Sequence, residues 1–341
     1  MTQNNSLKKK SGFHIDFGSY GIIYALLLFW VIMAITNSNF RAVPFYQTIL
    51  IRASLNAICG VGMTFAIISG DFDLSIASQV ALNSVVFTNV LPIIGLVPSI
   101  LLVLTLGILM GTFNGILVAK LRIPAFIATL GMQMGYRALA QLINSSPTVV
   151  NNSFFKKIAT HKIGGILPTA FVILIVLALL GNLVLRRTKL GRNILAIGNS
   201  KQAAAISGIN VQKTQIMTFL IVGLFTAAAS IMITSNLGSS NYGMQNGLEF
   251  TVISAVVLGG TALSGGKGSI LNTIAAAIFL VTIRSALDAY AIDSYWQKVI
   301  EGVILVVAFS ITEIRNIANN LIIKYRTRKK LNEAKANAPT A

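Results

Sequence analysis

Residues 250–281 read FTVISAVVL, GGTALSGGKGS, ILNTIAAAIFLV, and the fold of the whole chain turns on the middle segment, 259–269. Strand, glycine loop, lysine, helix is the order of a nucleotide-binding P-loop. The register excludes it. With Gly266-Lys267 as the Gly-Lys pair, a P-loop needs glycine at 261 and a hydroxyl residue after the lysine. Thr261 and Gly268 stand there instead. The flanks are also too long for strands: 248–264 and 269–287 each approach the roughly 20 apolar residues that cross a bilayer. The segment therefore reads as a turn between two membrane spans. Ser264, Gly265, Gly266 and Lys267 form the turn, and Gly259 and Gly260 permit close backbone and helix contact.

Composition agrees. Of 341 residues, 55% are hydrophobic and 11% charged, whereas soluble domains carry roughly 25% charged residues. Such a chain belongs in lipid. Cys59 is the single cysteine, and His14 and His161 are the only histidines, so neither a disulfide nor a His/Cys metal site is expected. The net charge of +18 would suggest nucleic acid in a soluble protein. Here it fits bases that set membrane orientation, because no basic stretch is interleaved with stacking aromatics. No HExxH, GxSxG or paired carboxylates appear, so no catalytic residues are expected.

The predicted fold is all-α and polytopic, with about ten spans: 20–36, 48–69, 74–92, 97–118, 124–143, 166–185, 214–235, 248–264, 269–287 and 295–313. Several are interrupted by Gly, Ser or Asn, which a bilayer tolerates only where the helix packs on protein or lines a cavity. Lys8, Lys9 and Lys10 precede the first span, but no convincing cleavage site follows it, so it reads as a retained helix. Ten spans place both termini on one side. Lys120, Arg122, the basic loop 186–213, Lys267 and the tail beyond Arg315 fall on that side; Arg41, Lys156, Lys157 and Lys162 fall on the other. The bias predicts cytoplasmic termini. The expected organisation is a cytoplasmic tail (1–19), a membrane domain (20–313) and a basic cytoplasmic tail (314–341).

The longest cytoplasmic loop, RRTKLGRNILAIGNSKQAAAISGINVQKT, carries a short helix signal. Asn199 or Ser200 can cap it, Gln202 lies three residues after Asn199, and Gly208 ends it. A surface-lying helix and a docking helix both fit. Gly70 can end the second span, and Asp73 can cap the third near Ser75 and Ile76; Asp73 also fits an acid at the mouth of a path. Asn56, Gln79 and Asn83 could bond a hydroxyl-rich solute or pair between helices. Arg52, Arg137, Arg284 and Lys298 all lie toward the outer mouth. Snorkelling to the interface explains them, as does docking of an acidic partner. Arg284 can also reach Asp288 one turn on.

Five segments carry a resemblance. TKLGRNILAIGNSKQAAAISGINVQKT, NGLEFTVISAVVLGGTALSGGKGSILNT, ISGDFDLSIAS, RIPAFIATLGM and SYWQKVIEGVILVVAF occur in the order and spacing of bacterial ABC-importer permeases of the ribose and simple-sugar type. The resemblance covers roughly 40–320 and implies an inner-membrane subunit with no cofactor of its own. It implies a second permease (a copy or a paralogue), separate ATPase subunits that hold ATP and magnesium, and an extracytoplasmic solute-binding protein that delivers a sugar or sugar-like solute. It assigns Gly191, Arg192, Gly198, Asn199, Ala203, Ala204 and Gly208 to a coupling helix that seats in the ATPase. Asn56, Asp73, Ser75, Asn83, Gly259 and Gly260 would belong to the path or its gate, and Arg52, Arg137, Arg284 and Lys298 to binding-protein docking. This chain departs at Asp71, where relatives usually have glycine. A gradient-driven transporter or a membrane-embedded enzyme are the competing classes; the capped cytoplasmic helix argues against the first and the missing catalytic residues against the second.

Overall fold

A computed structural model describes residues 17–307 and 310. The tails expected at 1–19 and 314–341 lie outside these residues, apart from 17–19, as do 308, 309 and 311–313 of the tenth candidate span. In chain order the helices are α1 (Phe17–Thr36), α2 (Val43–Ile68), α3 (Ile76–Ile94), α4 (Leu96–Ala119), α5 (Ala125–Ile143), α6 (Ser153–Ile158), α7 (Thr169–Arg187), α8 (Lys189–Asn199), α9 (Lys201–Ile206), α10 (Val211–Leu237), α11 (Leu248–Leu258) and α12 (Ile270–Ala289). A further helix, α13, covers 294–307. Every candidate span thus falls on a helix. Among the described residues six helices are long and apolar enough to cross a membrane: α2, α3, α4, α7, α10 and α12.

The eighth span is shorter than expected. α11 stops at Leu258, well before 264. Gly259 rests on the start of α12, where a Cβ would lie 2.7 Å from the Thr273 amide, and Gly260 turns the chain at φ +87. Eleven residues rise only about 16 Å, roughly half of a bilayer core. α11 is a half-helix, and 259–269 is folded back into protein.

α2, α3 and α10 form the buried centre. α10 packs closely on α4 along a glycine seam. A Cβ at Gly107 would meet Ala227 and the Gly223 carbonyl, one at Gly111 would meet the Phe219 carbonyl, and one at Gly115 would lie 2.8 Å from the Ile216 Cα. Without side chains at these positions the two backbones approach to a distance that larger residues forbid.

The two ends of the bundle differ. One carries α8, α9 and 259–269. The other is capped by 144–168, a folded segment. Strand β1 (Thr148–Val149) pairs antiparallel with β4 (Ser239–Ser240), and β2 (Lys162–Ile163) with β3 (Leu167–Pro168). Phe155 of α6 is fully buried, with its ring 4.6 Å from that of Phe87.

Candidate coupling site and polar cavity

At the α8–α9 end, the cap signal resolves as Ser200, whose side chain accepts from the Ala203 amide at 3.2 Å. α9 spans Lys201–Ile206, and Gly208 turns the chain at φ +79. Ala204 faces its own protein and is buried, whereas Ala203 and Ala205 are exposed. Ile206, not singled out from sequence, is 90% exposed. α9 therefore presents Ala203, Ala205 and Ile206 outward, and Ala204 is not part of that face.

The stretch before it is also helical. Thr188 caps α8 by accepting from the Gly191 amide at 3.2 Å. Its inner face is Gly191, Ile194 and Ile197, and Arg192 is exposed. The spacing of Ile194, Ile197 and Leu190 after a threonine was the available signal. Gly198 lies inside α8, before α9, and is a contact point. A Cβ there would collide with the Ile68 carbonyl and approach the Gly266 amide. Gly266 donates to the same Ile68 carbonyl at 2.8 Å, and Gly265 lies against Gly198. Asn199 crowds Gly266 so closely that a Cβ at Gly266 would strike its side-chain amide. The expected turn at 264–267 is thus half docked: Gly265 and Gly266 are buried against α8, and Ser264 and Lys267 are exposed. The ends of α2 and α8 and the start of α12 meet at one glycine-lined node.

Two carboxylates lie beside it, in the irregular segment Asp71-Phe72-Asp73 between α2 and α3. Asp73 is completely buried. Its Oδ1 accepts from the Ser75 amide (2.9 Å) and hydroxyl (2.6 Å), and its Oδ2 from Gln79 (3.2 Å) and Asn114 (3.2 Å). Burial pushes this carboxyl above the usual range, and the donors of Ser75, Asn114 and Gln79 pull it back. Tyr136 on α5 donates to Asn114 at 3.0 Å. Asp73 and Ser75 therefore form a sealed node joining α3, α4 and α5, not an open mouth. Asn83 is also fully buried, and neither end of its amide has a hydrogen-bond partner among the described residues. Asp71 turns the other way, with Oδ1 3.0 Å from Lys201 Nζ and Oδ2 accepting from Gln215 at 2.9 Å.

At the opposite end a cavity of about 610 Å³ opens between α2, α11, α12 and α13. It brings together three residues expected from sequence, Asn56, Arg284 and Lys298, and adds the polar side chains of Gln245, Asn246, Thr251, Ser254 and Gln297. Arg52 and Asp288 pair at 3.0 Å, and Arg284 pairs with Glu301 at 3.3 Å. Asp288 is thus held by Arg52, not by Arg284, because Gln297 also donates to it at 2.9 Å and α13 offers Arg284 its own acid. Lys298 is exposed, with its ammonium 5.9 Å from the Tyr295 ring centre. Arg137 sits apart. It is half-buried and donates to the carbonyls of Tyr242 (2.6 Å) and Met244 (2.8 Å), while Gln133 one turn away donates to buried Glu249 at 2.8 Å. α5 in this way clasps the loop that leads into α11.

Residues 45–309 match the family described as branched-chain amino acid transport system / permease component. The chain belongs to this permease family. Among curated relatives it is 34% identical to the ribose import permease protein RbsC of Escherichia coli (strain K12), over 84% of this chain and 91% of that one. It is 33% identical to the L-arabinose transport system permease protein AraH of the same strain, over 85% and 88%, and 30% identical to the ribose import permease protein RbsC of Bacillus subtilis (strain 168), over 84% and 90%. No solved structure gives a significant match. The chain is a multi-pass inner-membrane transport subunit and not an enzyme.

Proposed function

We propose that the chain forms the translocation path of an ATP-driven importer for a sugar or sugar-like solute. Separate ATPase subunits power it, an extracytoplasmic solute-binding protein feeds it, and a second permease completes the channel. The observation that carries this reading is α9, a capped helix held outside the bundle with Ile206 at its tip. A helix so displayed gives a cytoplasmic ATPase something to grip. Gly198 and Gly266 join its neighbour α8 to the end of α2 and the start of α12, so a push on α9 reaches helices that line the cavity at the far end.

The cavity supports a hydroxyl-rich solute. Its wall offers the amides of Asn56, Gln245, Asn246 and Gln297 and the hydroxyls of Thr251 and Ser254, groups that both donate and accept hydrogen bonds. The aliphatic side chain of a branched-chain amino acid, the substrate in the family's description, offers such groups no hydrogen bond, which costs affinity. Nucleotide binding drives net movement only if the solute is held differently in the two states of the path.

Two measurements test the reading. The affinity-purified chain should carry an ATPase subunit with it; transport by the chain alone in vesicles would overturn the assignment in favour of a facilitator. A thermal-shift screen of the solute-binding protein should return a pentose, hexose or polyol, and stabilisation by leucine or valine alone would overturn the sugar.

A further inference from the structure

The strongest unassigned feature is the carboxylate of Asp71. It is buried, with its side chain 6% exposed, while its partner Lys201 is 43% exposed. Three elements end on it. Ser69, just past the end of α2, lies 3.3 Å from Oδ2; Lys201, the first residue of α9, pairs with Oδ1 at 3.0 Å; Gln215, in the first turn of α10, donates to Oδ2 at 2.9 Å. The Asp71 amide in turn bonds the Ala66 carbonyl of α2 at 3.0 Å, fixing the carboxylate to that helix end. α9 has few other holds on the bundle. Ala204 is its one buried side chain, and its remaining residues face outward.

A buried charge that loses its partner is costly. Lys201 therefore cannot be drawn away while Asp71 stays in place without leaving that carboxylate short of its counter-charge. We propose that Asp71 is a positioning residue for coupling, a latch that obliges α9 and the α2–α3 connection to move as one body. The proposal rests on the reading that α9 engages the ATPase. Asp71 touches neither nucleotide nor solute; it acts through Lys201 and Gln215. Two residues on, Asp73 ties the same connection to α3, α4 and α5, so a displacement of α9 is delivered to the polar node as well as to α2. Without the latch, α9 could follow the ATPase while the path stayed where it was.

The test uses the complete transporter (permease, ATPase and solute-binding protein) reconstituted in vesicles, with Asp71→Asn, Lys201→Met and the double variant. Asp71→Asn keeps the shape and an acceptor for Gln215 while removing the charge. Lys201→Met alters a half-exposed position, and thermal unfolding of each variant in detergent separates lost coupling from lost fold. Each should lower the number of solute molecules moved per ATP about fivefold, the lower end of measured couplings between sites, while ATP hydrolysis without solute persists. The double variant should be no worse than either single, because both remove one interaction. The exchange Asp71→Lys with Lys201→Asp should restore part of the ratio. Unchanged transport per ATP in both singles, or losses that add in the double, would overturn the latch. Cross-linking of Ile206→Cys to the ATPase reads the underlying assumption separately. The link should form in the parent and in every variant; failure in the parent would overturn the role of α9 and the latch with it, whereas loss confined to the variants would overturn the latch by making Asp71 a docking support instead.

Discussion

Two acids two residues apart, Asp71 and Asp73, carry much of the local design. Each is buried, and each is tolerated only because several donors meet it. Asp73 accepts from Ser75, Gln79 and Asn114. Removing the acceptor strands those donors in a dry site, so Asp73→Ala should cost about 2–4 kcal/mol of stability, at one to three per buried unpaired group with partial relaxation. Asp73→Asn should cost less, since the amide oxygen still accepts from Ser75. Thermal unfolding in detergent should rank the parent above Asn and Asn above Ala; equal midpoints for parent and Ala would show the node to be solvated. The nearness of Asp73 to Ser75 was legible, but its capping role was not met: α3 starts at Ile76 with Ser75 as its N-cap, and Asp73 accepts from Ser75 instead of from the first turn of the helix. The partners of Asp71 were not legible. Lys201 and Gln215 lie 130 and 144 positions away, and no local rule links a loop acid to a distant helix start.

Whole helices were legible wherever a long apolar run defined them, which is why each candidate span found its helix. The signal failed in two places. α8 is short and half-polar, so the hydropathy that finds spans passes over it. α11 shares its composition with a full span, but close packing of Gly259 on α12 ends it early, and sequence carries no record of what a glycine touches. The same contacts separate glycines that matter from glycines that do not. Gly111 faces the Phe219 carbonyl at contact, whereas nothing lies within 4 Å of a Cβ at Gly131 on α5. Gly111→Leu should force α4 off α10 and leave little monodisperse protein in detergent. Gly131→Leu should extract and elute as the parent does. Equal yields for both would mean that the α4–α10 seam separates at little cost.

At the scale of the molecule, the two ends differ, and charge marks the one that carries the cavity. Arg284 and Lys298 line the cavity; Arg284 is held by Glu301, and Arg52 on α2 by Asp288. Exposed pairs of this kind add little to stability, and each base keeps hydrogen-bonding capacity beyond its one acid. They fit an acidic partner arriving from solution. Attraction between exposed charges reaches only about 8 Å at physiological salt and further at low salt, so a docking role has a salt signature that a structural role lacks. Arg52→Ala and Arg284→Ala should reduce binding-protein-stimulated ATP hydrolysis on the order of tenfold at low ionic strength, the lower end of electrostatic rate enhancement, and the deficit should shrink as salt rises. Arg137→Ala is the control. Its guanidinium is committed to the Tyr242 and Met244 carbonyls, so its loss should loosen the loop before α11 and impair transport equally at all salt concentrations. Losses at Arg52 and Arg284 that ignore salt would reduce these bases to braces for α12 and α13 and move the docking surface elsewhere on the outer face.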